Sequence, residues 1–329
     1  MKVIIPVAGI GTRLRPHTHT LPKVLMKVAG KTIIEHIVDE LIKLNYRFSE
    51  IIFIVGYLGE QIQDYIKARY KGRVKLRFVY QEIRKGLAHA VYLTRDVVKN
   101  EPVFIILGDT IFKANLGPVV HSASNYIGVK EVDNPKRFGI VQTGRNGLIT
   151  KFVEKPERPM SNLAIVGIYL IQDSKKLFHK IEHLIRHNIR TKGEYQLTDA
   201  LQLMLKEKEK FRIFKIRKWL DCGKPETLLS TNNELLKENK FEPPFRNVLV
   251  ISPNYISKSA KLRNCIIRPY VSIGNNVVVE NSVIKNSLVN DGAIIRNLFL
   301  NDSLIGREAS IQGVYRTLNI GDSSEVKLG

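Results

Sequence analysis

The chain has 329 residues, 44% of them hydrophobic, and a formal net charge of +21 at pH 7. That length exceeds what one small core organises, so a large domain followed by a smaller one is expected. No apolar run reaches the ~18 residues of a spanning helix and the start lacks the pattern of a signal peptide, so no membrane partner is expected and the cytoplasm is the expected location.

The first element is an apolar strand over residues 3–8, followed at once by the stretch VAGIGTRLRPHTHTLPK at 7–23. Gly9 and Gly11 let backbone N–H groups approach phosphate oxygens with no side chain in the way. Arg13 offers a fork of donors, and Lys23, set by Pro22, adds a point charge. The loop therefore reads as a triphosphate cradle, although it is not the G-x-x-x-x-G-K-[ST] of a P-loop. His17 and His19 stand two apart in this loop and are read as hydrogen-bonded or solvated, not as metal ligands.

Residues 31–45 place Ile33, Ile34, Ile37, Val38, Leu41 and Ile42 at a helical period. Strand-like 51–55, helical 60–69, strand-like 74–80, helical 87–98 and strand-like 103–107 follow. This alternation predicts a doubly wound, mainly parallel sheet, with ligands beyond the C-terminal strand ends. The glycine loop and the GDT at 108–110 both fall there. Further strands are expected over 126–170, helices at 175–189 and 197–209, a strand at 211–217 and a helix at 224–240. The charged, Pro-Pro-containing KENKFEPPF at 237–245 reads as a linker. The expected domains are 1–240 and 241–329.

Beyond the linker the texture changes. VSIGNNVVV at 271–279, LIGREASI at 304–311 and a spacing near six at Val271, Val277 and Val283 are imperfect hexapeptide repeats. They predict a short left-handed parallel β-helix, in which stacked rungs bury what one rung cannot.

The basic charge is spread through runs such as KEKEK at 206–210, interleaved with apolar residues at regular spacing, and reads as solvated faces. With no zinc-finger, RNA-recognition or basic-zipper pattern, nucleic acid is not an expected partner. The lysine excess with few Cys and Met fits heat adaptation. Cys222 and Cys265 lie far apart, match no metal spacing and read as reduced thiols.

GTRLRPHTHTLPKVLMKVAGKTII resembles the opening signature of the sugar-1-phosphate nucleotidyltransferases. The resemblance continues in order through Gln81 and GLAHA (86–90), GDT (108–110), FGIV (138–141), VEKP (153–156), GIY (167–169), EYQLTDA (194–200) and WLDCG (219–223). It spans about residues 1–235, and several members carry a hexapeptide-repeat tail. It implies that Asp109 and Asp221 hold Mg²⁺, consistent with hard oxygen donors completed by nucleotide phosphates. Gly9, Gly11, Thr12, Gln81 and Gly86 would bind the nucleotide, Gln81 matching the donor and acceptor of a uracil or thymine edge. Glu154 would bind sugar hydroxyls, and Lys155 the sugar phosphate. Gly139 and Ile165 would line the sugar, and Lys192 would stand where some relatives place an Arg on the sugar phosphate. Arg13, Lys23 and Lys155 would neutralise charge during transfer.

The implied activity is transfer of a nucleotidyl group from UTP or dTTP to a sugar 1-phosphate, by default glucose 1-phosphate. VAG-x-GTR is similar to bacterial UTP–glucose-1-phosphate uridylyltransferases, whereas RLRPHTHTLPK and GDTIF are closer to the thymidylyl branch. The bases differ by one methyl, about 1–3 kcal/mol of discrimination; the expectation leans to UTP. N-acetylglucosamine enzymes usually have Asn where this chain has Ile165. Acyl transfer by the tail is disfavoured, because all eight histidines lie at or before His187. A catalytically silent regulatory subunit is the alternative, against which stand the retained carboxylates and loop cations. A homo-oligomer is expected, with the tail mediating assembly or docking on the catalytic domain.

Overall fold

Strand Lys2–Pro6 lies inside a nine-stranded sheet in the computed structural model, which describes residues 1–237 and 247–314. It pairs in parallel with Glu50–Val55 on one side and Val103–Ile106 on the other, and Glu50–Val55 pairs in parallel with Leu76–Tyr80. These are the four strands expected from the apolar runs. The remainder joins through the long strand Leu163–Ile171, which runs antiparallel to Val103–Ile106, Asn125–Glu131 and Gly139–Thr143. Gly139–Thr143 in turn carries the antiparallel edge strand Ile149–Glu154, and Phe211–Lys215 pairs in parallel with Asn125–Glu131. The doubly wound half expected from the sequence is thus extended by an antiparallel half.

Both sheet faces are covered. Ile4, Ile52, Ile54 and Ile105 share a core with the helices Ser174–Arg186 and Leu197–Lys206. Their neighbours Ile5, Ile51, Phe53 and Phe104 point the other way and are as deeply buried. Helix Ile33–Lys43 begins with a reciprocal cap: the Thr32 hydroxyl accepts from the Glu35 amide, and the Glu35 carboxylate accepts from the Thr32 amide. The single helix expected over 87–98 is two, Leu87–Tyr92 and Arg95–Val98, because Leu93 and Thr94 break the period in a turn.

The chain divides into two compact units, Met1–Met26 with Lys31–Leu228, and Lys27–Gly30 with Leu229–Gly329. The linker expected at 237–245 and the domain boundary at 240 and 241 lie, Lys237 apart, outside the described residues.

In the second unit three parallel sheets of four short strands form the sides of a β-helix. The register Ile256–Ile273–Val289–Ile305 sets a rung of 16 or 17 residues. These side chains stack inward with Ile267, Val279, Ile284 and Ile295. Val271 and Val277 are buried as the spacing predicts, but Val283 falls one step out of frame. It joins an outward ladder with Leu249, Ile266 and Phe299, while its neighbour Ile284 takes the inward place. Asn264, Asn281 and Asn297 turn one corner with positive φ, and their side-chain amides bond from rung to rung.

Candidate active site

The loop that follows strand Lys2–Pro6 is held from within. Gly11 has φ +72°, and a Cβ there would lie 3.1 Å from both Lys23 Cβ and Thr18 Cγ2, so the loop closes on itself only with glycine. The Thr18 hydroxyl donates to the Gly11 carbonyl at 2.9 Å. At Gly9 a Cβ would meet open space. Thr12 and Arg13 are exposed, whereas Lys23 is buried and donates to Asp109 Oδ2 at 2.9 Å.

Asp109 leaves the end of strand Val103–Ile106 through Gly108. A Cβ on Gly108 would lie 2.4 Å from Val7 Cγ1 and 2.8 Å from the Pro6 carbonyl, so this glycine lets the two chain segments run side by side. Burial works against the charged form of Asp109. The Lys23 ammonium and the Thr110 hydroxyl outweigh it and hold the carboxyl below its ordinary range.

Asp221 arrives from 112 positions further along the chain. After Phe211–Lys215 the backbone leaves the large sheet, and Lys218–Asp221 pairs antiparallel with Thr110–Lys113, setting Asp221 opposite Thr110. The Gly223 amide donates to Asp221 Oδ1 at 2.9 Å. The same glycine lies against Arg13, since a Cβ on it would be 3.1 Å from the guanidinium. The two carboxylates implied as metal ligands are therefore neighbours across one small sheet, each oriented by a bond to its surroundings. Among the described residues no three His, Cys, Asp or Glu form a metal cage. Two carboxylates beside a glycine-rich, cationic loop fit Mg²⁺, which takes its remaining oxygens from water and bound ligands.

Both carboxylates open on a cavity of about 880 Å³. Glu154, the last residue of its strand, also lines this cavity and stands opposite Gly139. A Cβ on Gly139 would lie 2.8 Å from Glu154 Oε2, so the glycine preserves room for the carboxylate. The Thr198 hydroxyl donates to the same oxygen at 2.8 Å, and Lys155 Nζ is 3.7 Å from Oε1. Burial raises the pKa of Glu154, and the nearby Asp199 charge adds to this, with Thr198 and Lys155 pulling the other way. Ile165, Val166, Leu87, Leu107 and Tyr169 supply apolar wall. Trp219, the single tryptophan, packs edge-on against Phe138 at 4.9 Å between ring centroids, and its buried Nε1 has no hydrogen-bond partner among the described residues.

Of the residues named from the sequence, Arg13, Asp109, Gly139, Glu154, Lys155, Ile165 and Asp221 line this cavity. Lys23 reaches it through Asp109. Gln81 follows strand Leu76–Tyr80, is buried, and holds its amide nitrogen 3.5 Å from His89 Nδ1. Burial and the Lys85 charge lower the His89 pKa, which favours a neutral ring able to accept from that amide. Gly86 has φ +108°, and a Cβ on it would strike the Tyr195 carbonyl at 2.6 Å, so close packing on the Tyr195 backbone by itself requires a glycine there. Lys192 is exposed on the turn 191–194 and does not line the cavity. The sequence reading did not single out Arg137, Thr198, Trp219 and Lys224, which do line it. Thr198 and Trp219 stand inside stretches already quoted, EYQLTDA and WLDCG; Arg137 directly precedes FGIV, and Lys224 directly follows WLDCG.

The nucleotidyl transferase family model matches residues 2–238, and the chain belongs to that family. It is 34% identical over 288 residues to the bifunctional protein GlmU of Methanococcus maripaludis, covering 86% of this chain and 61% of that one. The chain thus spans about three fifths of the GlmU relatives it matches. It is 36% identical over 246 residues to the UTP–glucose-1-phosphate uridylyltransferase AglF of Haloferax volcanii, covering 72% of this chain and 98% of AglF. A solved UDP-glucose pyrophosphorylase in complex with UDP-glucose superposes with a TM-score of 0.61 at 25% identity, covering 72% of this chain and 99% of that one. No helix among the described residues is long and apolar enough to cross a membrane.

Proposed function

We propose that the protein transfers a nucleotidyl group from a pyrimidine nucleoside triphosphate, UTP before dTTP, to a sugar 1-phosphate, glucose 1-phosphate first, and releases pyrophosphate. The observation that carries this reading is the pairing of Thr110–Lys113 with Lys218–Asp221, which brings Asp109 and Asp221 to the wall of a cavity that Glu154 and Lys155 also line. The name of AglF and the UDP-glucose bound to a structural relative support the choice of nucleotide and sugar.

In the proposed reaction an oxygen of the sugar phosphate attacks the α-phosphorus of the triphosphate. The bond from that phosphorus to the bridging oxygen breaks in line, and pyrophosphate leaves with the electron pair. No general base is needed, because the attacking monoester is already anionic at neutral pH. The chain's work is positioning and charge neutralisation. The loop amides around Gly9 and the Arg13 fork hold the triphosphate, Lys155 faces the sugar phosphate, and Glu154, fixed by Thr198, accepts from sugar hydroxyls. Lys23 orients Asp109. Mg²⁺, held by Asp109 and Asp221, would draw charge from the phosphate oxygens. Gln81, braced by His89, reads the pyrimidine edge.

The test is pyrophosphate release with Mg²⁺, each of UTP, dTTP, CTP, ATP and GTP, and glucose 1-phosphate or N-acetylglucosamine 1-phosphate. Release with UTP or dTTP that is lost in Asp109→Asn supports the proposal. Absence of release with every pair defeats it.

A further inference from the structure

The charge count of the cavity leaves a gap. Its carboxylates are Asp109, Glu154 and Asp221, and the cations named from the sequence are Arg13, Lys23 and Lys155. These cancel one another, with Lys23 spent on Asp109 and Lys155 beside Glu154. A sugar phosphate brings a further charge of about −1.5 to −2, and a triphosphate brings more. One divalent cation does not match both. Lys192, the remaining cation named from the sequence, points its segment to solvent.

Two other cations line the cavity, Arg137 and Lys224. Among the described residues neither forms an ion pair with a carboxylate. Lys224 is held at its backbone, and Arg137 lies beside an aromatic ring. Lys224 heads the helix Pro225–Leu236, where its amide donates to the Thr227 hydroxyl at 3.1 Å and its carbonyl accepts from that hydroxyl at 3.1 Å. It lies three residues beyond Asp221, and the intervening Gly223 is the residue packed against Arg13. Arg137 ends the short turn Pro135–Arg137 with its guanidinium 5.9 Å from the centre of the Phe138 ring, and that ring rests on Trp219. A cation with a fixed base, no acidic partner and a place on the wall of a cavity with phosphate-binding residues is poised for an anion.

We infer that Arg137 and Lys224 are phosphate-contacting catalytic residues, which supply the surplus positive charge that the sequence reading sought in Lys192. This rests on the proposed nucleotidyl transfer for the identity of the phosphates, but their binding can be read without turnover. Trp219 is the only tryptophan and lines the same cavity, so its fluorescence reports occupancy.

The experiment titrates the full chain, in Mg²⁺, with inorganic pyrophosphate and separately with glucose 1-phosphate, following Trp219 emission. Wild type is compared with Lys224→Met, Lys224→Arg, Arg137→Met and Lys192→Met, and thermal melting checks that each variant folds. Loss of a charge-assisted contact weakens at least one ligand about tenfold in Lys224→Met and in Arg137→Met. Lys224→Arg keeps most of the affinity, and Lys192→Met stays within about twofold of wild type by the same measure. Affinities of Lys224→Met and Arg137→Met within twofold of wild type for both ligands overturn the inference. So does a wild type that binds neither ligand. A wild type that binds pyrophosphate in a Lys224-dependent way yet turns over no substrate pair leaves this inference standing and defeats only the proposed reaction.

Discussion

The Thr198–Glu154 contact allows a sharp test of how the cavity holds the Glu154 carboxylate. Thr198→Val keeps shape and volume but removes the hydroxyl that donates to Glu154 Oε2 at 2.8 Å. The Glu154 side chain is only 9% exposed, so water does not readily replace the lost donor. A hydrogen bond to a charged group is worth about 1.5–3 kcal/mol, and one between neutral groups about 0.5–1.5 kcal/mol. The Glu154 pKa already lies above its ordinary value because of burial, and losing the hydroxyl raises it further. A carboxyl whose folded pKa exceeds its unfolded value binds its proton more tightly when folded, so its ionisation weakens the fold as pH rises through that interval. The variant's penalty is therefore larger at pH 7 than at pH 4, because the ionised share of Glu154 grows as pH rises. At about 2–4 °C per kcal/mol for a unit of this size, the fall in Tm at pH 7 exceeds that at pH 4 by several degrees. Thermal melting at both pH values reads this directly, and KM for the sugar phosphate at pH 7 is expected to rise in parallel. Equal Tm losses at the two pH values would refute the reasoning, because they would trace the cost to packing and not to the carboxylate's charge.

Three further outcomes follow from the same structure. Asp109→Asn removes the anionic partner of buried Lys23 and one of the three carboxylates facing the cavity, and is expected to cut pyrophosphate release at least about 100-fold, while chelation of Mg²⁺ from wild type gives a loss that added Mg²⁺ reverses. Gly108→Ala drives a methyl into Val7 and the Pro6 carbonyl and is expected to cost about 1–3 kcal/mol or more of stability, measured by denaturant unfolding; a cost under about 0.5 kcal/mol would show that the strand ends yield easily. Ile295→Ala, at a fully buried position of the β-helix, is expected to cost about 2–5 kcal/mol in the same measurement, and an unchanged midpoint would count against the inward register.

Much of this was legible from local pattern. The four parallel strands follow apolar runs, the glycine loop follows the first of them, and Asp109 follows the fourth. These features depend on neighbours in sequence, which periodicity and turn chemistry report. The meeting of Asp109 with Asp221 depends on the chain leaving one sheet between Lys215 and Lys218 to enter another. Nothing in the alternation of those residues signals a change of sheet; only the family resemblance tied the two carboxylates together. Arg137, Thr198, Trp219 and Lys224 escaped notice for a related reason, since each belongs to a different element and gains its meaning from the cavity they share. The slip at Val283 is of a third kind. Inward and outward positions alternate along a strand, and the corners between strands vary in length by one residue, so a spacing near six loses phase after a few steps.

The β-helix has a consequence for how this part of the chain can change in length. Each circuit takes 16 or 17 residues before the backbone returns to the same side. Inserting or deleting one such block leaves every later residue facing as before and alters only the height of the stack. An insertion of a single residue within a flat side would instead turn the inward residue that follows it toward water, as at Ile284 in Val283–Lys285. Length in this region is therefore quantised, and the natural currency of its divergence is the whole circuit, with smaller changes confined to the asparagine-bearing corners.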